Sequence, residues 1–85
     1  MYVIDWKHKA QKQLVKIDDR DTRDTIYETA QMLCNFPDVE HVKKLTNHKY
    51  QYRLKVGRYR VFFDVSGVVR IIHIEEVKKR DDRTY

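Results

Sequence analysis

The hydrophobic positions at the start of the chain change from a short apolar run to a helical period. Residues that favour β-structure predict a strand at Met1–Asp5. After it, apolar residues recur at intervals of four, four and three, which places them on one face of a helix: Trp6, Ala10, Leu14 and Ile17. Because lysine and glutamine fill most of the intervening positions, this first helix is predicted to be basic and amphipathic.

A second amphipathic helix is predicted over Arg20–Asn35. The acidic pair Asp18-Asp19 breaks the first helical pattern and offers a cap for the second helix. The inward-facing stripe of this helix is predicted to consist of Thr22, Ile26, Ala30 and Leu33, with Cys34 as a further candidate. Phe36-Pro37 ends the helix, because a residue before proline is pushed away from helical angles. The two helices are therefore expected to form a hairpin.

The hydrophobic period changes from 3.6 to 2 beyond a connecting segment at Asp38–Lys49. Apolar and polar residues alternate through Tyr50–Val56 and again through Tyr59–Val65. The intervening Gly57-Arg58 is a tight-turn signal, so these two segments are predicted to be the strands of a β-hairpin.

A third strand of the same meander is predicted at Val68–Glu76, after a turn at Ser66-Gly67. It is apolar on both faces near its middle, which is typical of an interior strand. The end of the chain, Lys78–Tyr85, is predicted to be a charged tail. The expected fold is therefore α+β, in the order β-α-α-β-β-β, with a two-helix hairpin packed on an antiparallel sheet in one domain spanning residues 1–85.

Composition favours a basic protein with an anionic partner. The 85 residues contain 18 Lys and Arg against 13 Asp and Glu, which gives a formal net charge of +5. The alternative is a well-solvated surface, since net charge alone does not identify a partner. The single cysteine excludes an internal disulfide. No secretory signal or long apolar run is present, so a cytoplasmic protein without membrane contact is expected.

The cations of the predicted meander indicate where an anion would bind. Arg53 and Lys55 are two residues apart on one strand and therefore point to the same side. Arg60 follows the tight turn and is expected to lie across from them. Further cations follow the last strand and are expected to converge on the same surface: Lys78, Lys79, Arg80 and Arg83. The alternative is a solvated sheet face, on which lysine and arginine are common.

The aromatic and histidine residues are weaker indicators of a binding site than the cations. Phe62 and Tyr85 are expected to contact a ligand, because single-stranded nucleic acids stack their bases on such rings. The histidines have no metal-ligand spacing and are expected to be exposed or hydrogen-bonded: His8, His41, His48 and His73. Neither a metal nor a cofactor is predicted.

One segment carries a family resemblance. Tyr52–Val65, with the sequence YRLKVGRYRVFFDV, resembles the central hairpin of RelE/ParE superfamily toxins. Three other segments also resemble this family, so the resemblance spans nearly the whole chain: Lys44-Leu45, the helix that starts at Trp6, and the ending Val68–Tyr85. It implies a small α+β domain with two N-terminal helices on an antiparallel sheet.

The resemblance also implies a function. RelE-like members cut messenger RNA, many of them in the decoding site of the ribosome, and need no metal. The ribose 2′-hydroxyl attacks the adjacent phosphate and leaves a 2′,3′-cyclic phosphate and a 5′-hydroxyl. A cognate antitoxin protein is expected to hold such a toxin inactive in a hetero-oligomer. Two alternatives remain open, namely a ParE-like inhibitor of DNA gyrase and a non-catalytic member that acts only with its antitoxin.

The resemblance assigns roles to particular positions. Arg53 and Lys55 match the family's basic strand pair, although the family has two lysines there, and an arginine is a weaker candidate for proton transfer. Arg60 matches the arginine that holds the scissile phosphate. Tyr85 matches a C-terminal tyrosine that acts as a base or stacks on a nucleobase.

The tail cation that would act as the acid has three candidates in this sequence: Lys79, Arg80 and Arg83. Further contacts to RNA are expected from four residues: Lys55, Arg58, Phe62 and Lys78.

Overall fold

The structure, a computed structural model, describes residues 1–80 and confirms the predicted α+β fold. Its elements are β1 (Val3–Trp6), α1 (His8–Val15), α2 (Arg20–Gln31), a 3₁₀ turn (Met32–Asn35), β2 (Val42–Lys44), β3 (Tyr52–Val56), β4 (Tyr59–Ser66) and β5 (Ile71–Lys79). The strands form one sheet in the order β1-β5-β4-β3-β2. All neighbouring strands are antiparallel except β1 and β5, which are parallel.

The second helix begins where its capping residue predicts. The Asp19 carboxylate accepts a hydrogen bond from the Thr22 backbone N–H at 3.0 Å, which satisfies one of the unpaired donors of the first helical turn. Ile26, Ala30 and Leu33 are fully buried, as the stripe predicts. The α-helix ends at Gln31, four residues before the predicted end, and the remaining residues tighten into the 3₁₀ turn.

The predicted boundary between the first strand and the first helix is wrong by two residues. Trp6 is the last residue of β1, where it pairs with Ile74, and α1 begins at His8. The Trp6 indole N–H donates to the Gln31 side-chain oxygen at 3.0 Å, and its ring stacks on Tyr27. Because the side chain packs towards α2 from the strand, it mimics the first position of the helical stripe.

The segment that was expected to be only a connection contains a strand. Val42–Lys44 forms β2 and pairs antiparallel with β3 at the edge of the sheet. Three residues are too few to show an alternating pattern, and the two lysines at this edge discourage pairing with another chain.

The last strand starts and ends later than predicted. Val68 and Val69 are exposed in the β4–β5 turn, and Arg70 has a positive φ of 58°, so β5 begins only at Ile71. Lys78 and Lys79 belong to β5 and not to a tail. The longer strand brings both lysines beside β4.

The core lies between the helices and one face of the sheet. It contains residues of the helical layer together with residues of alternating parity on the strands: Leu54, Val56, Val61, Phe63, Ile72, Ile74 and Val77. Because side chains alternate along a strand, residues of the opposite parity project from the face that the helices do not cover. Within residues 1–80, no helix is long and apolar enough to cross a membrane.

Candidate functional site

The open face of the sheet carries its cations in adjacent cross-strand rows. In the first row, Arg60 on β4 lies opposite Lys55 on β3 and opposite Lys78 on β5. Three cations therefore lie side by side on three neighbouring strands. Residues directly opposite each other in antiparallel strands have Cβ atoms about 5 Å apart, so these charges act on one small region.

A second row of the open face adds two more cations. Arg53 lies opposite Lys43 on β2 and opposite Phe62 on β4. Lys43 was missed in the sequence because the strand that presents it was not predicted. We call the five cations of the two rows the basic face: Lys43, Arg53, Lys55, Arg60 and Lys78.

The two arginines of the basic face have unpaired side-chain atoms. Arg53 and Arg60 are half-buried, and the Nε atom of each is buried without a hydrogen-bond partner among residues 1–80. Neither guanidinium forms an ion pair within that part of the chain. A half-buried guanidinium without a counter-ion is costly, and its remaining N–H groups are the donors that it can offer to an anion.

An acidic residue borders the basic face, and its carboxylate already has hydrogen-bond and ion-pair partners. Glu76 is 6% exposed and lies opposite Phe62. Its carboxylate accepts a hydrogen bond from Gln13 and ion-pairs with Lys9 at 3.4 Å and Lys78 at 3.6 Å. Burial raises the pKa of Glu76, but the hydrogen bonds and the two ammonium groups more than offset it, and the pKa lies below its usual value. Glu76 is therefore ionised at neutral pH.

A neighbouring tyrosine is held in its neutral form. Tyr50 donates a hydrogen bond to Glu76, and burial together with this carboxylate raises the pKa of Tyr50 to about 12. Because its hydroxyl is already donated to Glu76 and its pKa is raised, Tyr50 is a poorer candidate for a general base than an ordinary tyrosine.

The expectation that Phe62 is open to a ligand is corrected by the structure. Phe62 is only 8% exposed. The rings of His48 and Tyr50 lie over it, with centroid distances of 5.1 Å and 5.7 Å. His48 is the exposed member of this cluster, and sequence reasoning gave it no role because it has no metal-ligand spacing.

Lys79 does not join the basic face, contrary to the expectation for the tail cations. It lies opposite Tyr59 and lines an open groove of about 820 Å³ on the helical side of the sheet. Five apolar residues line this groove with it: Ile17, Ile26, Val56, Tyr59 and Val77. Lys79 lies on the helical side because the pairing of β4 with β5 contains a register shift. Phe62 lies opposite Glu76, but the next residue, Phe63, lies opposite Ile74. The extra residue, Glu75, exchanges the faces of the residues after it.

Two of the remaining predicted residues, Arg58 and Arg80, lie near the β3–β4 turn. Arg58 is exposed in the β3–β4 turn, and its carbonyl oxygen accepts a hydrogen bond from the Arg80 backbone N–H at 2.7 Å. This contact places Arg80 beside the hairpin turn. Arg83 and Tyr85 lie outside the described residues, so their predicted roles stay predictions.

The basic face can bind a phosphate group and stabilise additional negative charge on it. Its arginines offer forked donors, which match phosphate oxygens, and its lysines offer point charges. Fixed cations favour a transition state that gains negative charge over a ground state that carries less. Residues 1–80 contain no cluster of three potential metal-ligating side chains.

Comparisons with solved structures show the same fold in three toxin systems. The isolated Escherichia coli RelE toxin has a TM-score of 0.78 at 20% identity, covering 95% of this chain and 86% of that chain. For the archaeal RelE–RelB complex of Pyrococcus horikoshii, the TM-score is 0.76 at 23% identity, with 95% and 97% covered. For the RelBE2 toxin–antitoxin complex of Mycobacterium tuberculosis, it is 0.78 at 18% identity, with 95% and 93% covered.

Comparison of the sequence with protein families gives a match over almost the whole chain. No curated protein matches the chain. Residues 4–82, however, match the family described as the ParE toxin of the type II toxin–antitoxin system parDE. The chain therefore belongs to this family and is a toxin of the RelE/ParE superfamily.

Proposed function

We propose that this toxin is a ribosome-dependent endoribonuclease that cleaves messenger RNA by attack of a ribose 2′-hydroxyl on the adjacent phosphate. The observation that carries the proposal is that two half-buried arginines, Arg53 and Arg60, lie on one face of the sheet and form no ion pair among residues 1–80. Together with Lys55 and Lys78 they provide four cations for a phosphate on the sheet face that the helices do not cover.

The cations have a direct use in this reaction. The phosphate becomes pentacoordinate and gains negative charge when the 2′-hydroxyl attacks it, and cations already fixed in place stabilise that charge without reorganisation. Arg60 is proposed to hold the scissile phosphate, because it lies between Lys55 and Lys78 in the first row. Arg53 and Lys55 bind the same phosphate or its neighbour.

Proton transfer requires groups beyond this charge cluster. Tyr50 is not proposed as the base, because its pKa is raised and its hydroxyl is donated to Glu76. The family resemblance assigns the base to Tyr85 and the acid to Arg80 or Arg83, and these assignments are part of the proposal. The third candidate acid, Lys79, is not proposed again because it lies on the other face of the sheet.

The proposed partner of the toxin is an antitoxin with an acidic segment. Several solved structures with this fold are toxin–antitoxin complexes, including RelBE of Escherichia coli and the RelB–RelE complex of Methanococcus jannaschii. An acidic chain that covers the basic face would satisfy Arg53 and Arg60 and exclude RNA from them. The complex would form in the cytoplasm, where the proposed ribosomal substrate lies.

A second candidate function is inhibition of DNA gyrase. It is favoured by the family description, which names the ParE toxin. Gyrase inhibition requires a protein-binding surface and no cleavage chemistry, so it does not explain why two arginines with unpaired donors lie on one sheet face. A non-catalytic member that acts only with its antitoxin is the third alternative.

One experiment separates these candidates. Purified toxin is added to a translation reaction that contains a defined messenger RNA, and cut sites are mapped by primer extension. The same preparation is added to a gyrase supercoiling reaction. The proposal predicts ribosome-dependent cuts and unchanged supercoiling. Loss of supercoiling without cuts would assign gyrase inhibition, and activity in neither reaction would assign a non-catalytic role.

A further inference from the structure

The loop between β2 and β3 is anchored against β4. The Gln51 backbone N–H donates to the Asp64 carboxylate at 2.8 Å, and the Val65 backbone N–H donates to the Gln51 side-chain oxygen at 2.8 Å. Within the loop, the Leu45 N–H donates to the Gln51 carbonyl oxygen at 2.8 Å. These hydrogen bonds hold the end of the loop beside β4, and the His48 and Tyr50 rings of the loop lie over Phe62 on the open face.

The anchored loop holds His48 in a defined orientation. The Tyr50 backbone N–H donates to His48 Nδ1 at 3.1 Å, so Nδ1 is the acceptor and Nε2 carries the proton of the neutral ring. The imidazole lies nearly parallel to the Phe62 ring, with 5.1 Å between centroids and 14° between planes. Phe62 thus supports one face of His48, while the residue as a whole is exposed.

The stack of His48 on Phe62 lies next to the two arginines of the basic face. Phe62 lies directly opposite Arg53, and Arg60 is two residues away on the same strand and the same face. A nucleotide whose phosphate contacts Arg53 and Arg60 therefore has its base close to the His48 ring. Since Phe62 is itself covered, His48 is the ring of this cluster that an incoming base meets.

We propose that His48 stacks on a nucleobase of the bound RNA, with Phe62 as the support beneath it. Histidine is among the side chains on which unstacked RNA bases pack, and such stacking tolerates any base because every base has a π-face. The anchored loop makes the stack preorganised, so little ordering is required when RNA binds. This inference rests on the proposed function, because the phosphates must lie on the basic face.

The test uses a five-nucleotide 2′-O-methyl RNA that contains one 2-aminopurine, whose fluorescence is quenched when the base stacks. The methyl groups remove the attacking hydroxyl, so binding is measured without cleavage. Titrations compare the wild type with His48→Ala and with His48→Phe, which keeps a ring that can stack. His8→Ala is the matched control, because His8 is an exposed histidine at the start of α1.

The proposal predicts that the wild type quenches 2-aminopurine in at least one position of the oligonucleotide. His48→Ala should bind about tenfold more weakly and lose this quenching, given the usual strength of base–aromatic stacking. His48→Phe should restore both, and His8→Ala should resemble the wild type. Since stacking on a base adds no contact to a phosphate, His48→Ala should leave the slope of log affinity against log salt unchanged.

The outcomes distinguish the stacking proposal from the proposed function. If Arg60→Ala weakens binding but His48→Ala has wild-type affinity and quenching, the stacking role is overturned and the basic face remains. If His48→Phe behaves like His48→Ala, the ring does not act by stacking. If the wild type shows no salt-sensitive binding, the RNA site itself is overturned, and the stacking proposal with it.

Discussion

Arg60 lies directly opposite Lys55 in the β3–β4 hairpin, so two cations occupy one cross-strand pair, and Lys78 flanks Arg60 on the other side. Like charges in opposed positions destabilise a sheet. A sequence optimised only for stability would not place three cations in this row. The arrangement is typical of a binding site, where function is retained at a cost in stability.

The first prediction concerns this repulsion. Replacing Arg60 by Gln should raise the free energy of unfolding by up to about 1 kcal/mol at low salt, because one member of the like-charged row is removed. The gain should shrink at high salt, where the repulsion is screened. Urea unfolding at two salt concentrations measures both values, with Arg20→Gln on the exposed start of α2 as the control. A marked loss of stability at low salt would show that Arg60 is structural.

The second prediction uses two adjacent lysines that face opposite sides of β5. Lys78→Ala should reduce the slope of log RNA affinity against log salt by nearly one unit if Lys78 contacts one phosphate. Lys79→Ala should leave the slope unchanged, since Lys79 faces the groove on the helical side. Equal effects of the two substitutions would contradict the assignment of RNA to the open face.

The parts of the fold that could be predicted from sequence are those with a strong local period. The stripe that includes Ile26, Ala30 and Leu33 defines the inner face of α2, and the alternation on both sides of Gly57 defines the β3–β4 hairpin. Gly57 has a φ of 57°, which glycine adopts easily as the first residue of a two-residue turn. The hairpin then fixes Arg53, Lys55 and Arg60 on one face.

The features that escaped prediction depend on contacts between distant segments. β2 is recognised only through its pairing with β3. The parallel pairing of β1 with β5 joins the first and the last elements of the chain, so no local pattern predicts it. The extra residue at Glu75 exchanges the faces of Lys78 and Lys79, and no local turn residue announces it. His48 gains its position from a loop that is tied to β4 by Gln51.

The third prediction concerns the ionisation of Tyr50. Because the folded protein raises its pKa from 10.0 to about 12, the neutral phenol contributes stability that is present below about pH 10. This contribution should be lost as the pH rises from 10 towards 12. A carbon-13 NMR titration of the tyrosine rings should show one tyrosine with a pKa near 12, and Tyr50→Phe should remove that signal. An ordinary titration of Tyr50 would contradict the buried hydrogen bond to Glu76.

The fourth prediction tests how α1 is attached to β5. The Gln13 side chain accepts a hydrogen bond from the Val77 backbone N–H at 2.6 Å and donates one to Glu76 at 3.3 Å. Gln13→Ala leaves both groups without this partner and should lower the free energy of unfolding by about 1–3 kcal/mol. Lys12→Ala, an exposed change on the same helix, is the control. Equal stability of the two variants in chemical denaturation would show that these hydrogen bonds contribute little.

Whether the basic face catalyses RNA cleavage is measured by the rate at which a defined messenger RNA is cut on translating ribosomes. The comparison needs the wild type, Arg60→Ala and Arg20→Ala, all shown to be folded. We expect cuts ending in a 2′,3′-cyclic phosphate and a 5′-hydroxyl, a wild-type rate for Arg20→Ala, and a rate lower by on the order of a hundredfold for Arg60→Ala. Cleavage by Arg60→Ala at the wild-type rate, or no cleavage by the wild type, would contradict this expectation.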